Sequence, residues 1–183
     1  MNDDRDDSGT GDSGTDEAAR GEMIRLAERR LASPAFIALF QQGMALVDET
    51  AAYLDGEGRT ASRALSRTAL AAYAQQSMRL STRLMQLASW LLLRRAVAEG
   101  EMSGETARRE AAKIDLKGPL RDMDQESLLP EPLVDLILRG YELQRQIVQL
   151  DDTLSAPSPT PGELRPNAVA GQIGRLRRAF ERG

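Results

Sequence analysis

The chain has 183 residues and a formal net charge of −4, enough for one domain of ordinary size with tails. It holds no cysteine and no histidine, which excludes disulfides, structural zinc sites and the usual thiolate or imidazole metal centres. The same absence removes every Ser-His, Cys-His and HExxH arrangement, so an enzyme would have to work with carboxylates, Lys, Ser or Tyr alone.

Residues 1–22 are rich in Asp, Gly, Ser and Thr. They cannot bury enough apolar surface to offset their ordering entropy and are expected to form a disordered acidic tail. They lack the apolar segment of a signal peptide, and no run reaches the roughly 20 apolar residues of a membrane span. A cytoplasmic protein with no membrane contact is therefore expected.

Residues 23–155 read as a helical bundle domain, because Ala, Leu and Arg are abundant and lose little on entering a helix. MIRLAERRLA (23–32) suggests a short helix through Ile24, Ala27 and Leu31. Ser33-Pro34 then supplies an N-cap and a first helical residue. Phe36, Phe40, Gly43, Val47, Thr50 and Leu54 follow at alternating four and three, up to a turn at Asp55-Gly56-Glu57-Gly58. That turn is not a phosphate loop, since no strand precedes it and it has no lysine.

A second helix is expected from about Thr60 to Glu99. One stripe is Leu70, Tyr73, Ser77, Leu80, Leu84, Leu87 and Leu91. A second lies one residue over, at Ala71, Ala74, Met78, Ser81, Met85, Ala88 and Leu92. Two adjacent stripes make a face wide enough for two neighbouring helices. The densest apolar run, RLMQLASWLLLRR (Arg83 to Arg95), holds the only tryptophan, Trp90.

Ser103 opens a short helical piece, SGETARREAAK, and residues 118–132 read as a loop with three prolines. The last long helix spans about Leu133 to Leu154, with Leu133, Leu136, Gly140, Leu143, Ile147, Leu150 and Leu154 on one side. Residues 156–166 form a Pro-rich linker. Residues 167–183 make a weak amphipathic segment with Val169, Ile173, Leu176 and Phe180 among Arg175, Arg177, Arg178 and Arg182. Gly171 and Gly174 weaken it as a free helix by roughly 1 kcal/mol each. It either docks back on the bundle or binds an acidic partner or nucleic acid, and the sequence does not choose. Three long stripes with no strand-like run predict an all-α, antiparallel three-helix bundle with a short additional helix and flexible termini.

At 1.5 Å per residue the outer helices are each roughly 33 Å long and the middle one roughly 60 Å. Leu84 to Val97 should then lie beyond the first helix's reach. Leu84, Leu87, Trp90 and Leu91 are accordingly read as core, with burial in a homodimer as the preferred refinement. A small-molecule pocket or a membrane contact there is less favoured. Arg94-Arg95 would complement the helix C-terminus. Arg79 and Arg83, four apart, could bind a phosphate or a partner carboxylate. The plainer reading pairs them with Asp48 or Glu49. A metal site among Asp48, Glu49, Asp55 and Glu57 is disfavoured, because helical carboxylate sites normally recruit histidine.

Two stretches, GMALVDETAAYLDGEGR (Gly43 to Arg59) and SMRLSTRLMQLASWLLLRRAVAEGEMS (Ser77 to Ser103), resemble the regulator-of-CtrA-degradation (RcdA-like) family of alphaproteobacterial proteins. The likeness covers roughly residues 34–115, with weaker agreement through the last long helix; the acidic tail is not part of it. The resemblance implies a three-helix bundle that forms a homodimer, without cofactor or enzymatic activity. It also implies an adaptor that helps the ClpXP protease (ClpX with ClpP) recognise cell-cycle regulators as cargo, together with a response-regulator-like adaptor. Linked weak contacts raise effective concentration, so tethering needs no chemistry. Candidate partner-binding residues are Arg79 and Arg83 on the bundle and Val169, Ile173, Leu176, Arg177, Arg178 and Phe180 in the C-terminal segment. The alternative is a structural or regulatory protein that binds nucleic acid or another acidic partner through that segment. Nucleic acid is the less expected partner, given the slightly acidic balance. An enzyme using Asp48 or Glu49 ranks third.

Overall fold

The computed structural model describes Leu31 and residues 33–155. The acidic tail, most of the 23–32 helix, the 156–166 linker and the C-terminal segment with Val169, Ile173, Leu176, Arg177, Arg178 and Phe180 lie outside those residues.

All regular structure among the described residues is helical: α1 (Pro34–Asp55), α2 (Glu57–Ser62), α3 (Arg67–Ala98), α4 (Gly104–Ala111), α5 (Met123–Glu126) and α6 (Glu131–Ser155). The caps explain most boundaries. Ser33 Oγ accepts the Phe36 N–H at 3.2 Å, Ser103 caps α4, and Asp122 caps α5. Beyond α3, Gly100 takes a positive φ of 74°, a conformation glycine adopts without strain. None of the described helices is long and apolar enough to cross a membrane.

The start of the middle helix differs from the expectation. The chain forms the six-residue α2 directly after Gly56, turns through residues 63–66, and begins α3 at Arg67, with Ser66 Oγ accepting the Ala69 N–H at 3.3 Å. Gly58 makes this possible. A Cβ there would lie 2.6 Å from the Tyr53 ring and 2.6 Å from the Tyr73 hydroxyl, so α2 sits directly on both tyrosines.

The expected all-α three-helix bundle is formed by α1, α3 and α6, but its helix directions are not all antiparallel. Gly43 of α1 faces Leu91, and Phe40 lies under the Arg95 guanidinium at 4.7 Å, while Tyr53 sits near Tyr73 through Gly58. Thus α1 runs antiparallel to α3. Between α3 and α6 the contacts advance together: Leu80 with Gly140, Arg83 with Gln144, and Trp90 with Asp151. These two helices run parallel, which requires the long α4–α5 connection to carry the chain back along the bundle.

The same contacts correct the predicted reach of α1. The α2 turn moves the start of α3 to Arg67, so α3 is roughly 48 Å rather than 60 Å long. The first helix then covers its later half. Leu84, Leu87, Trp90 and Leu91 are buried within a single chain, beside Leu46, Leu80, Leu133, Leu143 and Ile147. Each fully buried leucine contributes about 1.5–3 kcal/mol relative to an exposed one. These four residues are therefore core, and the homodimer refinement does not apply to them.

The second predicted stripe is also reassigned. Met78, Met85 and Leu92 are exposed, along with Ala71 and Ala74. The second buried row lies on the other flank of the first, at Ala69, Gln76, Arg83, Trp90 and Val97, spaced by seven. Two of its members are polar, which hides it from a search for apolar periodicity.

Candidate functional site

The polar members of that buried row, with Arg79, bind the returning connection. Gln76 Nε2 donates to Gln125 Oε1 at 2.9 Å, and Arg79 lies 3.9 Å from the Asp122 carboxylate. Arg83 donates from Nη2 to the Pro119 carbonyl at 3.0 Å and from Nε to Gln144 Oε1 at 2.8 Å. These three residues are three and four apart on α3, so residues 115–126 lie along the helix as a strap. From α6, Gln144 donates to the Lys117 carbonyl and Tyr141 Oη to the Pro119 carbonyl at 3.2 Å. Within the strap, Asp115 Oδ1 accepts the Lys117 and Gly118 N–H groups, and Gly118 has a φ of 55°. Glu126 is buried and pairs with Arg121, whose guanidinium that contact holds more firmly protonated.

The structure gives Arg79 and Arg83 different surroundings. Neither pairs with Asp48 or Glu49. Glu49 pairs with Arg139 instead, its Oε1 2.7 Å from Nη1, and the hydrogen bond from Arg139 holds its carboxyl below the ordinary value of 4.5. Arg83 is only 6 % exposed, and its guanidinium stacks on the Tyr141 ring at 3.8 Å. No carboxylate of the described residues pairs with it. Arg79 keeps about a third of its side chain in solvent.

Arg94 does not simply complement the end of α3. It is buried, and its Nη2 donates to Asp151 Oδ1 at 2.7 Å, while Trp90 Nε1 donates to the same oxygen at 2.8 Å. This node clamps the last turns of α3 and α6 together. Arg95 pairs with Glu99 at 2.8 Å. No cluster of three or more metal-ligating side chains occurs among the described residues.

A groove of about 590 Å³ opens between α3 and the strap. Ala71, Ala74 and Met78 line it from α3, Pro119 from the strap, and Arg79 and Arg83 from the edge. Gln75, Thr82, Gln86 and Asp115 line it as well. Met78 is 69 % exposed, and Leu120 and Met123 of the strap are exposed too. Farther along α3 the exposed row continues through Met85, 68 % exposed, to Leu92. The sequence contains one signal for the strap, the polar residues Gln76, Arg79 and Arg83 recurring at helical spacing. Their partners Pro119, Asp122, Gln125 and Gln144 carry none.

The DUF1465 family, described as "Protein of unknown function", matches residues 27–180. Among solved structures, RcdA from Caulobacter crescentus CB15 is 47 % identical, with a TM-score of 0.57 over 67 % of this chain and 92 % of that one. No curated protein matches the sequence. The family match takes in the whole bundle and the solved relative shares nearly half of its aligned residues, so the chain belongs to the DUF1465 family, the family of RcdA.

Proposed function

We propose that this protein is a non-enzymatic adaptor of regulated proteolysis, a cytoplasmic homodimer that brings cell-cycle regulators to the ClpXP protease alongside a response-regulator-like adaptor. The observation that carries the reading is the 47 % identity to RcdA across the bundle. Two features of this chain support it. The absence of histidine and cysteine leaves a scaffold poor in catalytic groups. The exposed, uncharged row on α3 offers a surface for protein contacts. The second copy would pack on the far part of that row, Met85, Ala88 and Leu92. The segment with Val169, Ile173, Leu176, Arg177, Arg178 and Phe180 would supply a separate contact to protease or cargo.

The test is reconstituted degradation of a fluorescent cargo by ClpX, ClpP and ATP with the response regulator present. Full-length protein should shorten the cargo's half-life, and a version ending at Ser155 should lose part of that effect. Unchanged half-lives with the full-length protein would sink the adaptor reading. Sedimentation should show a dimer that Met85→Asp converts to monomer.

A further inference from the structure

Helix α3 carries five arginines and no acidic residue, in a chain whose net charge is −4. Two of the five, Arg79 and Arg83, edge the groove. Arg83 has five N–H donors, and its two acceptors, Gln144 and Pro119, are both neutral. Among the described residues no carboxylate pairs with this buried guanidinium, an incomplete arrangement, since buried charges are normally paired. Among the described residues Arg79 has only the distant Asp122. The one acid lining the groove, Asp115, turns an oxygen into its own backbone turn. On the α3 side the groove's apolar floor is Ala71, Ala74 and Met78, with Gln75, Thr82 and Gln86 lining it beside them.

We infer that this groove receives a short acidic and apolar segment of a partner protein, its apolar side chains on Ala71, Ala74 and Met78 and its carboxylate on Arg79 and Arg83. The chemistry follows from the groove; the identity of the partner as cargo or priming protein rests on the adaptor reading. From Ala71 to Gln86 the groove edge is roughly 22 Å long, room for about three to four helical turns or a shorter extended peptide. Carboxylate pairing with arginine is geometrically specific, and apolar anchors in a groove supply area.

Other occupants match less well. The chain's own C-terminal segment would bring Arg175, Arg177 and Arg178 against Arg79 and Arg83. Its acidic tail has no large apolar residue between Asn2 and Glu17 to seat on the floor. A second copy placed on the far part of the row, at Met85, Ala88 and Leu92, would leave Ala71, Ala74 and Met78 uncovered.

Random 12-residue peptides displayed on phage would be selected against the full-length protein, with the double variant Met78→Asp, Arg79→Glu as counter-bait. Enriched peptides would be synthesised with fluorescein and titrated by anisotropy. The expected sequences combine Leu, Ile or Phe with Asp or Glu. They should bind Arg79→Glu about tenfold more weakly, lose affinity as salt rises, and bind the Ile37→Gln control like the wild type. Both groove substitutions are at partly or fully exposed positions, and thermal unfolding of each variant separates a folding defect from a binding defect. Enrichment of basic or uncharged sequences, or equal binding to Arg79→Glu, overturns the inference. So does a dimer that Met78→Asp dissociates, which makes a second copy the occupant, or peptide binding seen only after truncation at Ser155, which makes it the tail. Cargo degradation undiminished in the double variant overturns the groove and leaves the adaptor reading standing. Peptide binding as expected without any cargo degradation overturns the adaptor reading alone.

Discussion

Leu84 and Met85 are consecutive residues of α3, yet Leu84 is 3 % exposed and Met85 68 %. The same division runs the length of the helix. Leu80, Leu87 and Leu91 are inside, and Met78 and Leu92 are outside. Gln76, Arg83 and Arg94 are inside as well, each with hydrogen-bond partners. Polarity therefore does not decide which side of α3 is buried. The positions of α1, α6 and the strap decide it, and polar residues are tolerated wherever the strap or the end of α6 supplies acceptors. The apolar residues left outside then have no task in folding, which is why they are the natural place to look for partners.

The sharpest break of this comparison is a pair of substitutions at adjacent positions. Leu84→Ala should destabilise the chain by about 2–5 kcal/mol through lost burial and a residual cavity. Met85→Ala should stay within about 0.5 kcal/mol in the same monomer equilibrium. Urea unfolding followed by far-UV circular dichroism, at a concentration where the protein is monomeric, measures both. Equal losses would mean that the outer row is buried in the monomer after all.

The buried polar side of the comparison is tested at Asp151. This carboxylate receives both the Trp90 indole and the Arg94 guanidinium. Asp151→Ala leaves Arg94 buried without its carboxylate and Trp90 Nε1 without its acceptor. Removing one partner of a fully buried pair costs about 3–5 kcal/mol. Asp151 keeps 28 % of its side chain in solvent, so water offsets part of the cost, and about 2–3 kcal/mol is expected. Trp90 is the only tryptophan, so its fluorescence reports the loss of the node directly. A second substitution, Arg94→Met, should recover part of the stability, because it removes the stranded charge.

How much of this was legible beforehand depends on what each element uses as its signal. The helices announce themselves through caps and periodicity: Ser33-Pro34, Ser103, and the three–four alternation of α6 from Leu133 to Leu154. The core residues Leu84, Leu87, Trp90 and Leu91 follow from the same period. Helix direction does not, because the parallel α3–α6 pair depends on a connection whose contacts are long-range, such as Arg83 with Pro119 and Gln76 with Gln125. The choice between the two flanks of α3 is invisible for a related reason. The exposed flank, with Met78 and Met85, is more apolar than the buried one, with Gln76 and Arg83. Of the candidate site, the four-residue spacing puts Arg79 and Arg83 on one face of α3, but their partners are not legible, since no local pattern marks the strap.

Close approach of the helices gives a smaller effect with a definite sign. At Gly43 an added Cβ would lie 2.5 Å from Leu91 Cδ1 and 3.6 Å from Leu143 Cδ2, where all three long helices meet. Leu91 and Leu143 are both buried and cannot easily yield. Gly43→Ala gains about 1 kcal/mol of helix propensity, but overpacking costs about 1–3 kcal/mol. A net loss of about 1 kcal/mol is expected. At Gly140 the nearest atom, Leu80 Cδ1, is 3.1 Å away, so Gly140→Ala should be close to neutral. Comparing the two midpoints in urea tests whether α1 is the tightly seated helix.

The smallest effect belongs to the ion pair that joins α1 to α6 on the surface. Glu49 and Arg139 are both about half exposed, so the pair contributes only about 0.2–1 kcal/mol. Its sign with pH is nevertheless fixed. Arg139 holds the folded Glu49 carboxyl below 4.5, the value near which the unfolded chain takes up its proton. The stabilisation is therefore fully present above about pH 4.5 and is lost as pH falls through the lower folded value. Glu49→Gln should be slightly less stable than the wild type near pH 7, and the difference should shrink as pH falls below about 4.5. Thermal midpoints measured across that range test it, at low salt where screening is weakest. A gap that persists unchanged at low pH would show that the amide substitution perturbs packing between α1 and α6, and the bundle surface at Glu49 would then belong with the tightly packed side of the comparison.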